Sequence, residues 1–224
     1  MLSKIVLQVT GGLGMFLLGM KYMSDGIQSF AGNQLRRLIS AVTDNRLVAL
    51  LVGVLFTCMV QSSSITTVMI VGLVNSGVMT LLQSLGVMMG ANIGTTITGW
   101  ILVLKIGKYG LPILGMASFF YLFSKNEKVR FYAMTIMGIG MIFFGLELMK
   151  NGFKPLRSSP GFIEWFSMFN AGTYFGIIKL ALTGCLATLI IQSSSATLAI
   201  TMGLASSGVI GFESAAALVL GENI

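Results

Sequence analysis

The stretch GVLFTCMVQSSS at residues 53–64 recurs as GCLATLIIQSSS at residues 184–195, an offset of 131 positions. The match continues downstream without a gap, so that residues 53–93 and 184–224 share 16 identities in 41 aligned positions. Unrelated segments of this composition would share roughly 10%, so the two stretches are copies of one structural unit. Each copy places a glutamine and three serines between two apolar arms, which predicts a helix that breaks and resumes.

The composition identifies an integral membrane protein. The chain has 224 residues, of which 55% are hydrophobic and 9% charged, and its mean hydropathy is +0.90. A soluble domain carries about 25% charged residues to cover its core. Histidine is absent, which argues against Ser-His-Asp hydrolases and most zinc or iron sites. Cys58 and Cys185 lie inside apolar runs, so we expect reduced packing residues.

The basic residues gather between the apolar runs. Residues 47–104 carry no charged side chain, whereas lysines and arginines cluster on either side of that run. Clusters of this kind mark loops at membrane edges. The pI of 9.7 therefore predicts contact with the headgroups of a lipid bilayer and no binding of nucleic acid.

A second, weaker repeat precedes each QSSS stretch. GLGM at residues 12–15 aligns with GIGM at residues 138–141, an offset of 126. Each copy thus begins with a glycine-rich span, passes through a polar segment and enters its QSSS stretch. We predict a first transmembrane repeat at residues 1–130 and a second at residues 131–224. The second stops inside a motif, so we expect it to be truncated.

The hydrophobic runs predict four full crossings and two shorter hairpins. The crossings are expected at residues 5–23, 80–104, 109–124 and 131–149, with an interfacial amphipathic segment at 24–46. The arm at residues 47–60 would measure only about 21 Å as a helix, at 1.5 Å per residue. Such an arm is too short to span comfortably, which predicts re-entrant hairpins at about 47–76 and 174–206 with tips near the midplane.

The number of crossings sets the orientation of the two copies. From the start of the first span to the start of its equivalent there are three full crossings, and because three is odd, the copies enter from opposite faces. The predicted fold is an all-α integral membrane protein with an inverted-topology repeat and two re-entrant helical hairpins. Its two QSSS tips approach each other from opposite sides.

The polar tips are candidates for binding ions. A half-helix that begins after the serines directs backbone N–H groups and its positive dipole end at the tip, which suits an anion. Carbonyls that end the incoming arms, at residues 57–60 and 188–191, are suitable ligands for Na⁺. Helix packing is the alternative for one such cluster, but packing does not require the same four residues twice.

A third polar island, NIGTTIT, occupies residues 92–98. Thr95 and Thr98 are three residues apart, hence on one helical face, and can turn their hydroxyls toward one cavity. The alternative is that they bond back to carbonyls of their own helix. Gly90 and Gly94 equally suit close helix packing.

The paired QSSS stretches, each followed about 30 residues later by a G-x-N-I element, resemble the type II sodium–phosphate cotransporter family, including its bacterial members. The resemblance covers nearly the whole chain. It implies transport of inorganic phosphate driven by Na⁺ in a multi-pass protein of the plasma membrane, with Na⁺ as coupling ion and no cofactor. It leaves open a homodimer and a PhoU-like regulatory domain or protein as partners.

The resemblance also implies the site residues. Phosphate and Na⁺ are expected at Gln61, Ser62, Ser63, Ser64, Gln192, Ser193, Ser194, Ser195, Asn92, Thr95, Thr98 and Asn223. Ligands for Na⁺ are expected at Thr57, Gln61, Ser64, Thr95, Thr188, Gln192 and Ser195. Glu222 departs from the first copy, which has Ala91 at that position. Its carboxylate can serve a cation site, be protonated, or simply be exposed.

Other functions are compatible with parts of this pattern. Ser, Thr and Gln side chains do not distinguish phosphate from sulfate or a dicarboxylate, so Na⁺-coupled transport of another small anion stays open. A re-entrant-loop channel is a further alternative, although the sequence has no ring of charged residues. An enzyme is not predicted, because histidine is absent and Lys179 gives no sign of acting as a positioned base for the serines.

Overall fold

The computed structural model describes residues 2–40, 45–103, 107–158 and 171–224, and within these ranges the chain forms helices and no strand. The helices are α1 (Leu2–Ser40), α2 (Arg46–Val60), α3 (Ser63–Asn75), α4 (Leu81–Val103), α5 (Gly110–Phe123), α6 (Glu127–Phe153), α7 (Tyr174–Ile191), α8 (Ser194–Ser206) and α9 (Phe212–Glu222). Short 3₁₀ turns lie at Gly107–Tyr109 and Lys154–Ser158. The predicted all-α class is confirmed.

Helix α1 is longer than the sequence predicts. A crossing at residues 5–23 and a separate interfacial segment at 24–46 were expected, but one helix runs from Leu2 to Ser40. No proline interrupts it, and Gly26, near the expected boundary, packs closely against Phe131 and Thr135 of α6. The boundary expected after residue 23 is therefore wrong. Residues 41–44 of the predicted segment lie outside the described ranges.

The two QSSS stretches form matching helix–break–helix elements. The first QSSS element consists of α2, the break at residues 61–62 and α3, and the second consists of α7, the break at 192–193 and α8. The predicted arms are confirmed as helices in both. Gly77 and Gly208 then turn the chain with φ of 73° and 74°, a left-handed conformation that favours glycine. Helices α4 and α9 follow, again 131 residues apart at their starts.

Close glycine contacts hold each element against the next helix. A Cβ on Gly53 of α2 would overlap the carbonyl of Val87 in α4, and one on Gly90 of α4 would overlap the carbonyl of Leu50. The same contacts recur 131 residues later, where Gly184 meets Leu218 and Gly221 meets Ala181. The repeated glycines therefore let α2 pack on α4, and α7 on α9, at backbone distance.

Three of the described helical segments are long and apolar enough to cross a membrane. They are Ser3–Ser29, Glu127–Leu156 and Tyr174–Ile191. The crossings predicted at residues 5–23 and 131–149 fall within the first two. Those predicted at 80–104 and 109–124 are not among the three and stay predictions; in the described part of the chain α4 has 23 residues and α5 has 14. Helix α7, expected as a short hairpin arm, is itself long enough to cross.

The chain divides into two compact units. One comprises Met1–Gly19, Lys105–Leu111 and Gly140–Ile224, and the other comprises Met20–Leu104 and Pro112–Ile139. Each unit contains one QSSS element and part of a long helix, α1 or α6, that belongs to the other sequence copy. The compact units thus cut across the duplication at residues 1–130 and 131–224.

Candidate functional site

Gln61 breaks the first QSSS element. It has φ 56° and ψ 25°, a left-handed conformation that costs a residue with a side chain about 1–3 kcal/mol unless its surroundings hold it. Its backbone N–H donates to the Thr57 carbonyl at 2.7 Å, and its side-chain Nε2 donates to the Cys58 carbonyl at 2.6 Å. Both bonds cap the end of α2, so the glutamine side chain itself supports the strained backbone.

Gln192 breaks the second QSSS element in the same way. Its φ is 60° and its ψ is 22°, and its N–H donates to the Thr188 carbonyl at 2.7 Å. Its Nε2 donates to the Leu189 carbonyl at 2.8 Å. In the described part of the chain, Gln61 and Gln192 are the non-glycine residues with positive φ. The duplicated sequence has therefore built the same uncommon backbone twice.

The serines start the outgoing helices rather than preceding them. Ser62 and Ser193 are extended N-cap residues, and each Oγ accepts a bond of 3.3 Å, from the N–H of Ile65 and of Ala196 respectively. The expectation that the helix begins after all the serines is wrong, because the first serine caps it and the next two form its first turn. In each element the N–H groups of the second and third serines have no acceptor among the described residues. These serines are Ser63 and Ser64 in the first element, and Ser194 and Ser195 in the second.

A pair of threonines joins the two arms across each break. Thr57 Oγ donates to Thr66 Oγ at 3.2 Å, and Thr66 Oγ donates to the Ser62 carbonyl at 2.8 Å. The second element repeats both bonds, with Thr188 to Thr197 at 3.3 Å and Thr197 to the Ser193 carbonyl at 3.1 Å. Thr66 and Thr197 were not predicted as site residues. They occupy equivalent positions of the two copies, and this identity could have identified them from the sequence.

The polar island on α4 meets the first break through one residue. Thr98, only 2% exposed, donates from Oγ to Gln61 Oε1 at 3.1 Å. Thr95 instead donates to the Ala91 carbonyl at 3.1 Å. It thus bonds back to its own helix, which is the alternative that the sequence leaves open for these threonines. Thr98 thus belongs with Gln61, whereas no described hydrogen bond links Thr95 to the break.

The two predicted asparagines lie at exposed positions. Asn223 donates from Nδ2 to the Val219 carbonyl of α9 at 2.9 Å. Asn92 is exposed on α4. Among the described residues, no hydrogen bond connects either asparagine with a glutamine or serine of its QSSS element. Their expected role in binding stays a prediction.

Several carbonyls expected to bind Na⁺ already accept hydrogen bonds. The carbonyls of Thr57 and Cys58 accept the bonds from Gln61. The Val60 carbonyl accepts a 2.7 Å bond from Ser24 Oγ on α1, and Gln28 Nε2 donates to that same Oγ at 2.7 Å. Each carbonyl has a second lone pair, so these bonds orient the oxygens without consuming them. Ser24 was missed because its segment was interpreted as interfacial. In the described ranges no group of three or more acidic, Cys or His side chains is placed to hold a metal ion.

The sequence of this chain is similar to those of known proteins. The chain matches the family model of the Na⁺/Pi-cotransporters at residues 15–151 and 167–224. Bacillus subtilis YqeW, an uncharacterised protein, is 27% identical over 98% of this chain and 70% of its own length. Escherichia coli YjbB, a candidate inorganic phosphate export protein, is 25% identical over 98% of this chain and 40% of its own length.

Human sodium-dependent phosphate transport protein 2B is 36% identical over 96 residues, which are 42% of this chain and 14% of that protein. The chain therefore spans less than half of YjbB and of the human protein. No solved structure matches it. Because the family model covers both QSSS elements and the threonines that join their arms, the chain belongs to the Na⁺/Pi-cotransporter family.

Proposed function

We propose that the chain is the core of a Na⁺-coupled transporter of inorganic phosphate, and that the two QSSS breaks bind phosphate and Na⁺. The observation that carries the proposal is the duplicated break, in which Gln61 and Gln192 share one strained conformation and one set of hydrogen bonds. Strained backbone conformations cluster at active sites and ligand-binding sites, where the surrounding structure holds them in place. Packing alone gives no reason to keep the strain in both copies.

Phosphate binding is assigned to the first turn of α3 and of α8. Ser63 and Ser64 present two N–H groups at the positive end of the α3 dipole, and their hydroxyls add further donors. Ser194 and Ser195 do the same on α8. No basic side chain is needed in this arrangement, since neutral donors hold the anion and Na⁺ offsets its charge.

Na⁺ binding is assigned to the oxygens on the incoming side of each break. Na⁺ prefers hard oxygen ligands, and each break gathers threonine hydroxyls, a glutamine and helix-ending carbonyls within a few residues. In the first element the relevant oxygens belong to Thr57, Gln61 and Thr66, which hydrogen bonds already hold in place. Thr188, Gln192 and Thr197 offer the same groups in the second.

The proposed alternating access uses inverted copies, and contacts within one compact unit support the inversion. Within it, Gly12 of α1 packs on Gly145 and Met149 of α6, while Gly152 of α6 packs on Gln8 and Val9. The contacts run in opposite directions along the two helices, so α1 and α6 are antiparallel there. Because α1 and α6 are equivalent in the weaker repeat, antiparallel packing favours an inverted repeat. Re-entrant hairpins in a multi-pass protein of the plasma membrane are part of the same proposal. A homodimer and a PhoU-like partner stay predictions.

Uptake of radiolabelled phosphate by the full-length protein in proteoliposomes tests the proposal. We expect uptake that saturates, that needs an inward Na⁺ gradient and that a K⁺ gradient of equal size does not replace. Unlabelled phosphate should compete strongly, and sulfate or a dicarboxylate weakly. Uptake that ignores Na⁺, or that sulfate inhibits as well as phosphate does, would contradict the proposal.

A further inference from the structure

The second QSSS element borders a cavity of about 310 Å³. Its walls come from α7, α8 and α9, together with Phe153 at the end of α6 and Leu156 in the 3₁₀ turn that follows. All of these residues belong to one compact unit. The atoms that face the cavity are almost entirely apolar, although four of the residues in its walls are polar.

Two threonines in the walls already use their hydroxyl groups inside the protein. Thr183 Oγ donates to the Lys179 carbonyl at 2.8 Å, and Thr197 Oγ donates to the Ser193 carbonyl at 3.1 Å. Both bonds direct the hydroxyl to the backbone one helical turn earlier. A water molecule in a cavity needs about two to four polar partners, and these walls do not provide them.

Glu222 and Thr201 satisfy each other in the same way. Thr201 Oγ donates to Glu222 Oε1 at 2.6 Å, and each residue is 3% exposed. Exposure of Glu222, one of the alternatives left open by the sequence, is therefore wrong. No described residue forms a salt bridge with Glu222. A protonated carboxyl group bonded to Thr201 accounts for this buried pair without an ion, so the cavity calls for an apolar occupant.

The cavity lies where the second copy has smaller or less buried side chains than the first. Ala187 of α7 lines it, whereas the equivalent residue of α2 is Phe56, which is 5% exposed. Ile191 also lines it and is only partly buried, whereas its equivalent, Val60, is 4% exposed. The second copy therefore has a methyl group, and space beside it, where the first has a buried ring.

The volume of the cavity suits a segment of a lipid acyl chain. In another protein, an engineered apolar cavity of about 150 Å³ stays free of water and binds benzene, which has six carbons. By the same ratio, the cavity of about 310 Å³ has room for roughly twelve carbon atoms. A straight acyl chain supplies that many without any polar group.

The α7 wall of the cavity adjoins side chains that are open to lipid. Helix α7 is long and apolar enough to cross a membrane. Leu186 and Ile190 are exposed on it, and each directly precedes a residue of the cavity wall, Ala187 or Ile191. In a bilayer the exposed pair contacts acyl chains, so a lipid reaches the cavity without passing through water.

An exposed lysine lies at the end of the cavity that Phe153 and Leu156 form. Lys154 directly follows Phe153, and no described acidic side chain pairs with it. A lysine of this kind keeps its stem along apolar surface and its ammonium group in the headgroup region. There it attracts the phosphate of an anionic phospholipid.

We propose that this cavity binds an acyl chain of an anionic phospholipid, whose headgroup phosphate pairs with Lys154. The apolar walls, the neighbouring lipid-exposed face of α7 and the unpaired lysine each match one part of such a lipid. The lipid site uses neither the QSSS serines nor the oxygens assigned to Na⁺, so it goes beyond the proposed function.

Phosphatidylglycerol with a photoreactive group in its acyl chain tests the site on the purified full-length protein in detergent. Mass spectrometry of the labelled peptides should find the label on the residues of α7, α8 and α9 that line the cavity. Ala187→Phe introduces the ring of the first copy, and should lower this labelling about tenfold or more, because the ring occupies space that the acyl chain needs.

Leu186→Phe is the matched control, because it adds the same ring one residue away on the exposed face of α7. Its labelling of the cavity residues should equal that of the unaltered protein. Equal labelling in the two phenylalanine variants would overturn the proposal. So would an unaltered protein whose cavity residues take no label, as expected if another part of the protein fills the cavity.

Substitution of Lys154 tests the headgroup contact and keeps the test decisive if Ala187→Phe does not fold. Lys154→Gln should weaken competition by unlabelled phosphatidylglycerol about fivefold and leave competition by phosphatidylcholine with the same acyl chains unchanged. Lys128→Gln, at another exposed lysine, should change neither. Equal competition by the two lipids in the unaltered protein, or equal losses in both lysine variants, would contradict the assignment.

Discussion

The first and second QSSS elements share a backbone but differ in the side chains that surround it. Gln61 and Gln192 have nearly identical dihedral angles and donate to equivalent carbonyls. Around the first break, Ser24 of α1 donates to the Val60 carbonyl, whereas the equivalent position of α6 holds Lys150, which pairs with Glu147. The duplicated motif therefore determines the break itself, and the surrounding residues are free to make the two breaks different.

The largest effect is expected where the two elements are most alike. Gly90→Ala and Gly221→Ala each place a Cβ against a carbonyl of the facing helix, at Leu50 and Ala181. Backbone atoms cannot turn aside as side chains do, so each variant should lose more than the ~1–3 kcal/mol of ordinary overpacking. Thermal unfolding in detergent measures the loss, and the yield of folded protein should fall for both.

Gly72→Ala provides the matched control for the glycine variants. Gly72 is also helical, but a Cβ there meets nothing within 4 Å. This variant should unfold at or above the temperature of the unaltered protein, because alanine favours helix. Tolerance of Gly90→Ala together with damage from Gly221→Ala would show that the close packing is not shared.

A smaller effect separates backbone strain from side-chain function at the breaks. Replacing Gln61 by glycine relieves the left-handed strain, whereas replacing it by alanine does not. Both remove the amide that bonds to the Cys58 carbonyl and to Thr98. We expect Gln61→Gly to be more stable than Gln61→Ala by about 1 kcal/mol, and the same order at Gln192. Chemical unfolding provides the comparison.

Phosphate transport by these variants sharpens the result. If the glutamine amide contributes to binding, transport should fall in the glycine and alanine variants alike, although their stabilities differ. Full transport by Gln61→Gly would mean that only the backbone bend matters. If Gln61→Ala were as stable as Gln61→Gly, the left-handed backbone at residue 61 would not be strained.

The smallest expected effect belongs to the first element alone. Ser24→Ala removes the hydrogen bond to the Val60 carbonyl and should cost about 0.5–1.5 kcal/mol, since the bond is partly buried. It should also raise the KM for phosphate modestly by loosening the end of α2. Ser29→Ala is the control, because Ser29 is exposed and bonds only to the Asp25 carbonyl of its own helix. Equal KM values for phosphate in the two variants would show that Ser24 does not contribute to the phosphate site.

Much of the fold follows from the sequence because repeated residues specify repeated geometry. The serines and glutamine located both breaks, and the flanking apolar arms located α2, α3, α7 and α8 within a few residues. The family was identifiable from the same residues and is confirmed, and because it is a family of transporters, the expectation that the chain is not an enzyme is confirmed too.

The missed features depend on tertiary contacts that no local pattern records. Helix α1 continues past residue 23 and brings Ser24 to α2, where Ser24 can reach the Val60 carbonyl. Thr95 and Thr98 are indistinguishable by spacing, yet only Thr98 faces Gln61, because packing against α2 sets the rotation of α4. Glu222 stood out in the sequence, but its bond to Thr201 becomes visible only when α8 and α9 pack together.

The central claim is that free N–H groups at the start of α3 bind phosphate, and proline at Ser63 tests it most directly. Ser63 is the first residue of α3, where proline is tolerated, and Ser62 is extended at φ −149° and ψ 110°, as a residue before proline must be. Ser63→Pro therefore removes one N–H donor while the helix can still form.

Ser63→Ala is the matched comparison for Ser63→Pro, because alanine removes the hydroxyl but keeps the backbone N–H. Equilibrium binding of radiolabelled phosphate in Na⁺ should be weakened in both variants. We predict that Ser63→Pro loses about tenfold or more, as expected for a hydrogen bond to a charged group, with a circular dichroism spectrum that shows intact helix. Phosphate affinity in a folded Ser63→Pro protein equal to that of the unaltered chain would contradict the account.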